Sequence, residues 1–80
     1  LFYIQIYYIK KDVIVIKNRI RQLRDIHNLT QDEFAKLVNV SRQTIISLEK
    51  GRYNPSITLA FKIAKIFNTT IENVFIYEEE

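Results

Sequence analysis

Apolar positions along the chain change period near residue 16. Phe2, Ile4, Ile6 and Tyr8 recur at spacing two, Lys10, Lys11 and Asp12 interrupt, and Val13 to Ile16 form a second apolar run. Two β-rich runs split by a short polar break predict a hairpin. Beyond it the apolar positions recur at three and four, the period of a helix. Ile16, Ile20, Leu23 and His27 share one face of a first helix, and Lys17, Arg19 and Arg21 lie elsewhere on it. Thr30 is the expected N-cap of a second helix over roughly 31–38, with Glu33 completing a capping box and Leu29 and Phe34 forming a hydrophobic staple. That helix is expected to bury Phe34, Leu37 and Val38 and to pack Ala35 against a neighbour.

Only Asn39 and Val40 separate this helix from the next cap, Ser41. So short a link forces a sharp bend, and Asn tolerates the left-handed backbone that the bend needs. Ser41 starts a third helix reaching about Lys50, with Val40 and Ile45 as its staple. Gly51, the only glycine, stands where a helix end favours one. Pro55, the only proline, precedes Ser56, the cap of a fourth helix over 57–67 with Leu59, Ala60, Ile63, Ala64 and Phe67 as its stripe. Asn68 offers another left-handed stop, and Thr70 caps a short fifth helix whose Ile71, Val74 and Phe75 face inward. Phe75 to Tyr77 read as strand. The expected fold is a compact, mostly α domain of five helices, with a short β element formed by the chain ends.

Composition narrows the function. Eighty residues provide one core. Without cysteine and with one histidine, disulfide frameworks, thiolate chemistry and histidine-rich metal sites are excluded. No nucleophile with an adjacent base, carboxylate pair or phosphate-cradling glycine loop is present, so the chain reads as non-enzymatic, with no cofactor or metal. The net charge of +3 hides a segregation. Residues 17–77 hold ten Lys and Arg against five Asp and Glu, and Glu78 to Glu80 form an acidic tail. A basic domain of this size points to an anionic partner. Residues 1–9 are apolar but too short to span a bilayer, which takes about 20 residues, and they lack the features of a signal peptide. A cytoplasmic protein without a small-molecule sensing domain is expected. Residues 1–12 are read as an apolar extension, either a strand or non-native sequence, and 13–77 as the domain.

The third helix carries the functional signal. Ser41, Ile45 and Leu48 follow one face and pack inward, whereas Gln43, Ile46, Ser47 and Lys50 follow the other, with Arg42 beside them. A short polar face ending in cations suits a DNA major groove, where amides and guanidinium groups pair with base edges.

The stretch LTQDEFAKLVNVSRQTIISLEKGRYNPS, followed by IENVF, resembles the helix-turn-helix of the phage repressor and Cro type, also called the Xre type. The resemblance spans roughly Ile16 to Phe75 and implies a five-helix lambda-repressor-like fold. Its carriers are Thr30-Gln31 opening the second helix, Ala35, the SRQTI start of the third helix and LEKGRYNPS after it. Asn39 departs from the glycine usual in the family's turn, and Ile46 from its usual polar residue. The resemblance implies that Arg42, Gln43 and Ser47 read base edges, with Thr44 next in line. It also assigns Gln31 to a phosphate and to bracing the recognition residues, with the backbone N–H groups at that helix start facing the same phosphate. Ser41, Lys50, Arg52 and Asn54 complete the phosphate-binding set. Arg24 and Glu49 lie at the margins of buried stripes, and the family commonly pairs these positions, so both are assigned to structure.

The expected function is sequence-specific binding of double-stranded DNA by a transcriptional regulator, a repressor acting as a homodimer on an inverted repeat. Its recognition helices would lie about 34 Å apart, one DNA turn. Val74, Phe75 and Ile76 are the candidate dimer contacts, near a sheet of the chain ends. The alternative is an antitoxin or anti-regulator whose apolar N-terminal segment is taken up by a protein partner.

Overall fold

The structure, a computed structural model, describes residues 14–52 and 54–79. The expected pairing of residues 2–8 with 13–16, and the extension 1–12, lie outside this range or depend on residues outside it. The elements are β1 (Ile14–Asn18), α1 (Ile20–Ile26), α2 (Gln31–Leu37), α3 (Arg42–Glu49), α4 (Ile57–Ile66), α5 (Ile71–Val74) and β2 (Phe75–Glu79). The mostly helical fold with a small sheet of chain ends is therefore the one expected. β1 and β2 pair antiparallel, from Ile14 opposite Glu79 to Asn18 opposite Phe75. β2 continues beyond Tyr77 through Glu78 and Glu79.

Two expectations fail for identifiable reasons. Ile16 and Lys17 belong to β1, not to the first helix, because Ile16 pairs with Tyr77 and Lys17 with Ile76. Ladder pairing with a distant segment overrides the local helical spacing, and α1 starts at Ile20. Leu37 is 53% exposed, whereas Phe34, Ala35 and Val38 are buried. At 3.6 residues per turn, Leu37 lies roughly 100° from the centre of the stripe those three define.

Helix starts follow local side-chain chemistry. Ser41, Ser56 and Thr70 each accept a backbone N–H with the side-chain oxygen at the start of α3, α4 and α5. Thr30 and Glu33 form the expected capping box, with Glu33 N–H to Thr30 Oγ1 at 3.0 Å and Thr30 N–H to Glu33 Oε1 at 2.9 Å. The ends of the first four helices share one device. Asn28, Asn39, Gly51 and Asn68 take φ of 57°, 61°, 69° and 54° after α1, α2, α3 and α4. At each, the N–H of the following residue returns to a carbonyl in the preceding turn, as Arg52 N–H does to Ser47 O at 3.0 Å. This Schellman geometry satisfies carbonyls that a helix end otherwise leaves open.

The core gathers Ile20, Phe34, Val38, Ile45, Leu48, Ile63, Phe67 and Val74 from all five helices, with the Phe34 and Phe67 rings stacked 4.9 Å apart. Ile45 and Leu48 are fully inside, which fixes the rotation of α3 and turns its polar face outward. Among the described residues, no helix is long and apolar enough to cross a membrane.

Candidate nucleic-acid interface

The bend between α2 and α3 is made by Val38, Asn39 and Val40 before the Ser41 cap. Val40 N–H bonds to Ala35 O at 3.0 Å, closing the turn on the one buried alanine of α2. A larger side chain at Ala35 would push the two helices apart. Burial of Ile45 and Leu48 then leaves Arg42 and Gln43 exposed and Thr44, Ile46 and Ser47 half-buried. Lys50, Arg52 and Asn54 are exposed beyond the C-terminal end of α3.

Local bonds occupy some of these groups. The Ser41 hydroxyl accepts Thr44 N–H at 3.1 Å and lies 3.0 Å from the Thr44 hydroxyl. Both hydroxyls therefore shape the helix start, whereas the Gln43 amide extends from the exposed face. Gln31, half-buried at the start of α2, donates from Nε2 to Glu49 Oε1 at 3.2 Å. An amide nitrogen carries two donors, so one N–H and the carbonyl oxygen stay available on Gln31.

Glu49 receives more than Gln31. Arg24 Nε meets Glu49 Oε2 at 2.6 Å, Arg24 Nη2 meets Oε1 at 3.1 Å, and Nη1 donates to Leu29 O at 2.9 Å. Arg24 is the one buried charged residue among those described, 8% exposed. Hydrogen bonding to Glu49 raises its pKa above the ordinary arginine value, burial opposes that shift, and the charges of Glu49 and Asp25 reinforce it. The bidentate pair ties α1 to α3, and Gln31 joins it from α2.

Above this pair lies an open hollow of about 750 Å³, with Arg21, Gln31 and Arg42 on its wall. Arg21, Arg24 and Arg42 line it against Asp25, Asp32 and Glu49. The balance of charges makes it a poor trap for a small anion. Its exposed arginines, Arg21 and Arg42, lie beside the start of α2 and α3. No cluster of metal-ligating side chains occurs among the described residues.

The candidate dimer contacts separate in the structure. Val74 is fully buried in the chain's own core and has no surface to offer, whereas Phe75 and Ile76 are half-buried. Phe75 also packs against the core.

Sequence reasoning missed Asn18 and Arg21. Asn18 Nδ2 donates to Leu48 O at 2.7 Å, and its Oδ1 accepts Ile20 N–H at 3.2 Å. Asn18 precedes the N-cap, Arg19, and takes the N–H two residues on, an Asx turn that Asn favours. Its bond across to α3 has no signature at that distance in sequence. Arg21 was legible only as one of several cations assigned to the expected first helix.

Comparison with known proteins agrees with this geometry. The helix-turn-helix family pattern matches residues 20–74. An uncharacterized HTH-type transcriptional regulator of Methanocaldococcus jannaschii is 57% identical over 65 residues, covering 81% of this chain and 98% of that protein. Antitoxin PezA of Streptococcus pneumoniae is 35% identical over 60 residues, which is 75% of this chain and 38% of the antitoxin. A crystal structure of a Bacteroides fragilis protein is similar in fold, with a TM-score of 0.68 and 21% identity over 76% of this chain and 98% of that one.

Proposed function

Because the chain belongs to the helix-turn-helix family, in its phage repressor and Cro (Xre) type, we propose that it regulates transcription by binding specific double-stranded DNA with α3 in the major groove. The observation that carries this reading is the exposed Arg42–Gln43 pair at the start of a helix whose opposite face is locked into the core. In this reading Arg42 and Gln43 pair with base edges, and Thr44 and Ser47 contribute shorter contacts. Gln31, Ser41, Lys50, Arg52 and Asn54 hold the flanking phosphates, which set register without reading sequence. The regulator acts as a homodimeric repressor on an inverted repeat, with half-sites about 34 Å apart.

Selection of bound duplexes from a random DNA pool tests the whole reading. A two-fold symmetric consensus is expected, with an A·T pair opposite Gln43, since a glutamine amide matches adenine in the major groove. Recovery of unselected sequence would defeat specific recognition, and a single asymmetric half-site would defeat the dimer.

The antitoxin likeness supports a second reading, in which a protein partner engages the apolar residues 1–12. Co-purification from the native host of a stoichiometric partner, lost when those residues are removed, would favour it.

A further inference from the structure

Asn18 makes more connections between elements than any single residue of the proposed DNA-binding face. Its backbone pairs with Phe75 at the end of the sheet. Its Oδ1 takes Ile20 N–H at the start of α1, and its Nδ2 gives a 2.7 Å bond to Leu48 O in the last turn of α3. The next N–H, that of Arg19, bonds to Val74 O at the end of α5 at 2.8 Å.

The acceptor chosen on α3 matters. Leu48 O also receives Gly51 N–H at 3.0 Å, the bond that turns the chain out of α3 at positive φ. Asn18 therefore fastens the same carbonyl that launches Lys50, Gly51 and Arg52. A side chain here needs a donor and an acceptor at the same reach, which asparagine has and aspartate or serine lacks.

We infer that Asn18 is a positioning residue for DNA binding: it couples the sheet of the chain ends to the C-terminal turn of α3, and so sets where Lys50 and Arg52 meet the DNA backbone. This rests on the proposed DNA-binding reading and deepens it. Whatever displaces β1 from β2 would, by the same connection, loosen the cationic end of the recognition helix.

Two variants separate the bonds. Asn18→Asp keeps the acceptor for Ile20 N–H and replaces the donor facing Leu48 O. Asn18→Ser keeps a neutral acceptor for Ile20 N–H and cannot span to α3. Hydrogen exchange in the free protein should quicken at Gly51 and Arg52 by about tenfold, the scale of one lost net hydrogen bond. The matching amides after α4, Asn68 and Thr69, should be unchanged. On the duplex recovered by selection, affinity should fall by about tenfold, with the salt slope shallower by about one unit.

Equal acceleration at both helix ends, or none, would overturn the coupling and leave Asn18 with a purely local role at the start of α1. Local acceleration with unchanged affinity and slope would overturn its role in DNA binding. If the wild-type protein binds no duplex, the DNA-binding reading fails on its own and the positioning role falls with it, while the exchange measurement still decides the coupling.

Discussion

Gln43 and Glu49 stand on the same helix in opposite surroundings. Gln43 is exposed, while both Glu49 oxygens are taken by Arg24, one of them shared with Gln31. Gln43→Ala should weaken binding to the selected duplex by about 1–3 kcal/mol and relax selectivity at one base pair per half-site. Titration against duplexes varied at that pair checks it, and an unchanged preference would place another residue there. Glu49→Ala should instead cost about 3–5 kcal/mol of stability, because it leaves the Arg24 guanidinium buried and unpaired. Changing both to apolar residues should recover part of that loss, as a denaturation cycle will read. Additive single effects would mean that the pair is not coupled. The Arg24–Glu49 pairing was legible because both positions border buried stripes and match the family pattern. Gln31's bond to Glu49 was not, because spacing places a side chain on a face without orienting its amide. Leu37 shows a further limit, since it follows Phe34 by three residues, yet Ala35 and Val38 centre the buried stripe roughly 100° away from it.

At the scale of elements, starts and stops were the most readable parts of the fold. Thr30, Ser41, Ser56 and Thr70 cap helices because their side-chain oxygens reach open N–H groups within a few residues, so nothing distant can override them. Asn39, Gly51 and Asn68 were likewise legible, since positive φ restricts the residues that fit. Asn39→Ala should destabilise the domain by about 1–2 kcal/mol, and Asn39→Gly by far less, which urea denaturation will distinguish. Equal loss in both variants would indicate that the Asn side chain, and not the backbone angle, holds the turn. The boundary between β1 and α1 was read wrongly for the converse reason. Lys17 and Asn18 are extended because Ile76 and Phe75 lie beside them, and that partner comes from the other end of the chain. Arg52 belongs at this scale too, since the Schellman turn after α3 delivers it. Arg52→Ala should weaken binding nearly equally on all duplexes and reduce the salt slope by about one unit. A loss confined to the selected sequence would put Arg52 at a base edge.

On the scale of the whole molecule, two apolar surfaces are candidates for the contact between copies that the proposed homodimer requires. One is the chain-end sheet, where Phe75 and Ile76 are half-buried. The other is α4, where Ile57 is 73% and Phe61 56% exposed. Surface patches of this kind commonly mark contacts, so exposure alone does not choose between them. Burial of Val74 and packing of Phe75 against the core make a charge at either position a test of folding. Ile76 is the cleaner probe, because it lies opposite Lys17 in the sheet and outside the core cluster. The chain-end dimer therefore predicts that Ile76→Asp sediments as a monomer with a near-native thermal melt. Linking two half-site contacts raises avidity steeply, so that monomer should bind the selected palindrome roughly a hundredfold more weakly or worse. Phe61→Asp should remain dimeric and bind normally. The reverse pattern, monomeric Phe61→Asp and dimeric Ile76→Asp, would move the interface to α4. Deleting residues 1–12 should leave both folding and palindrome binding intact, since the family pattern begins at Ile20 and β1 at Ile14. A deletion variant that folds but no longer dimerises would make that apolar segment part of the contact between copies.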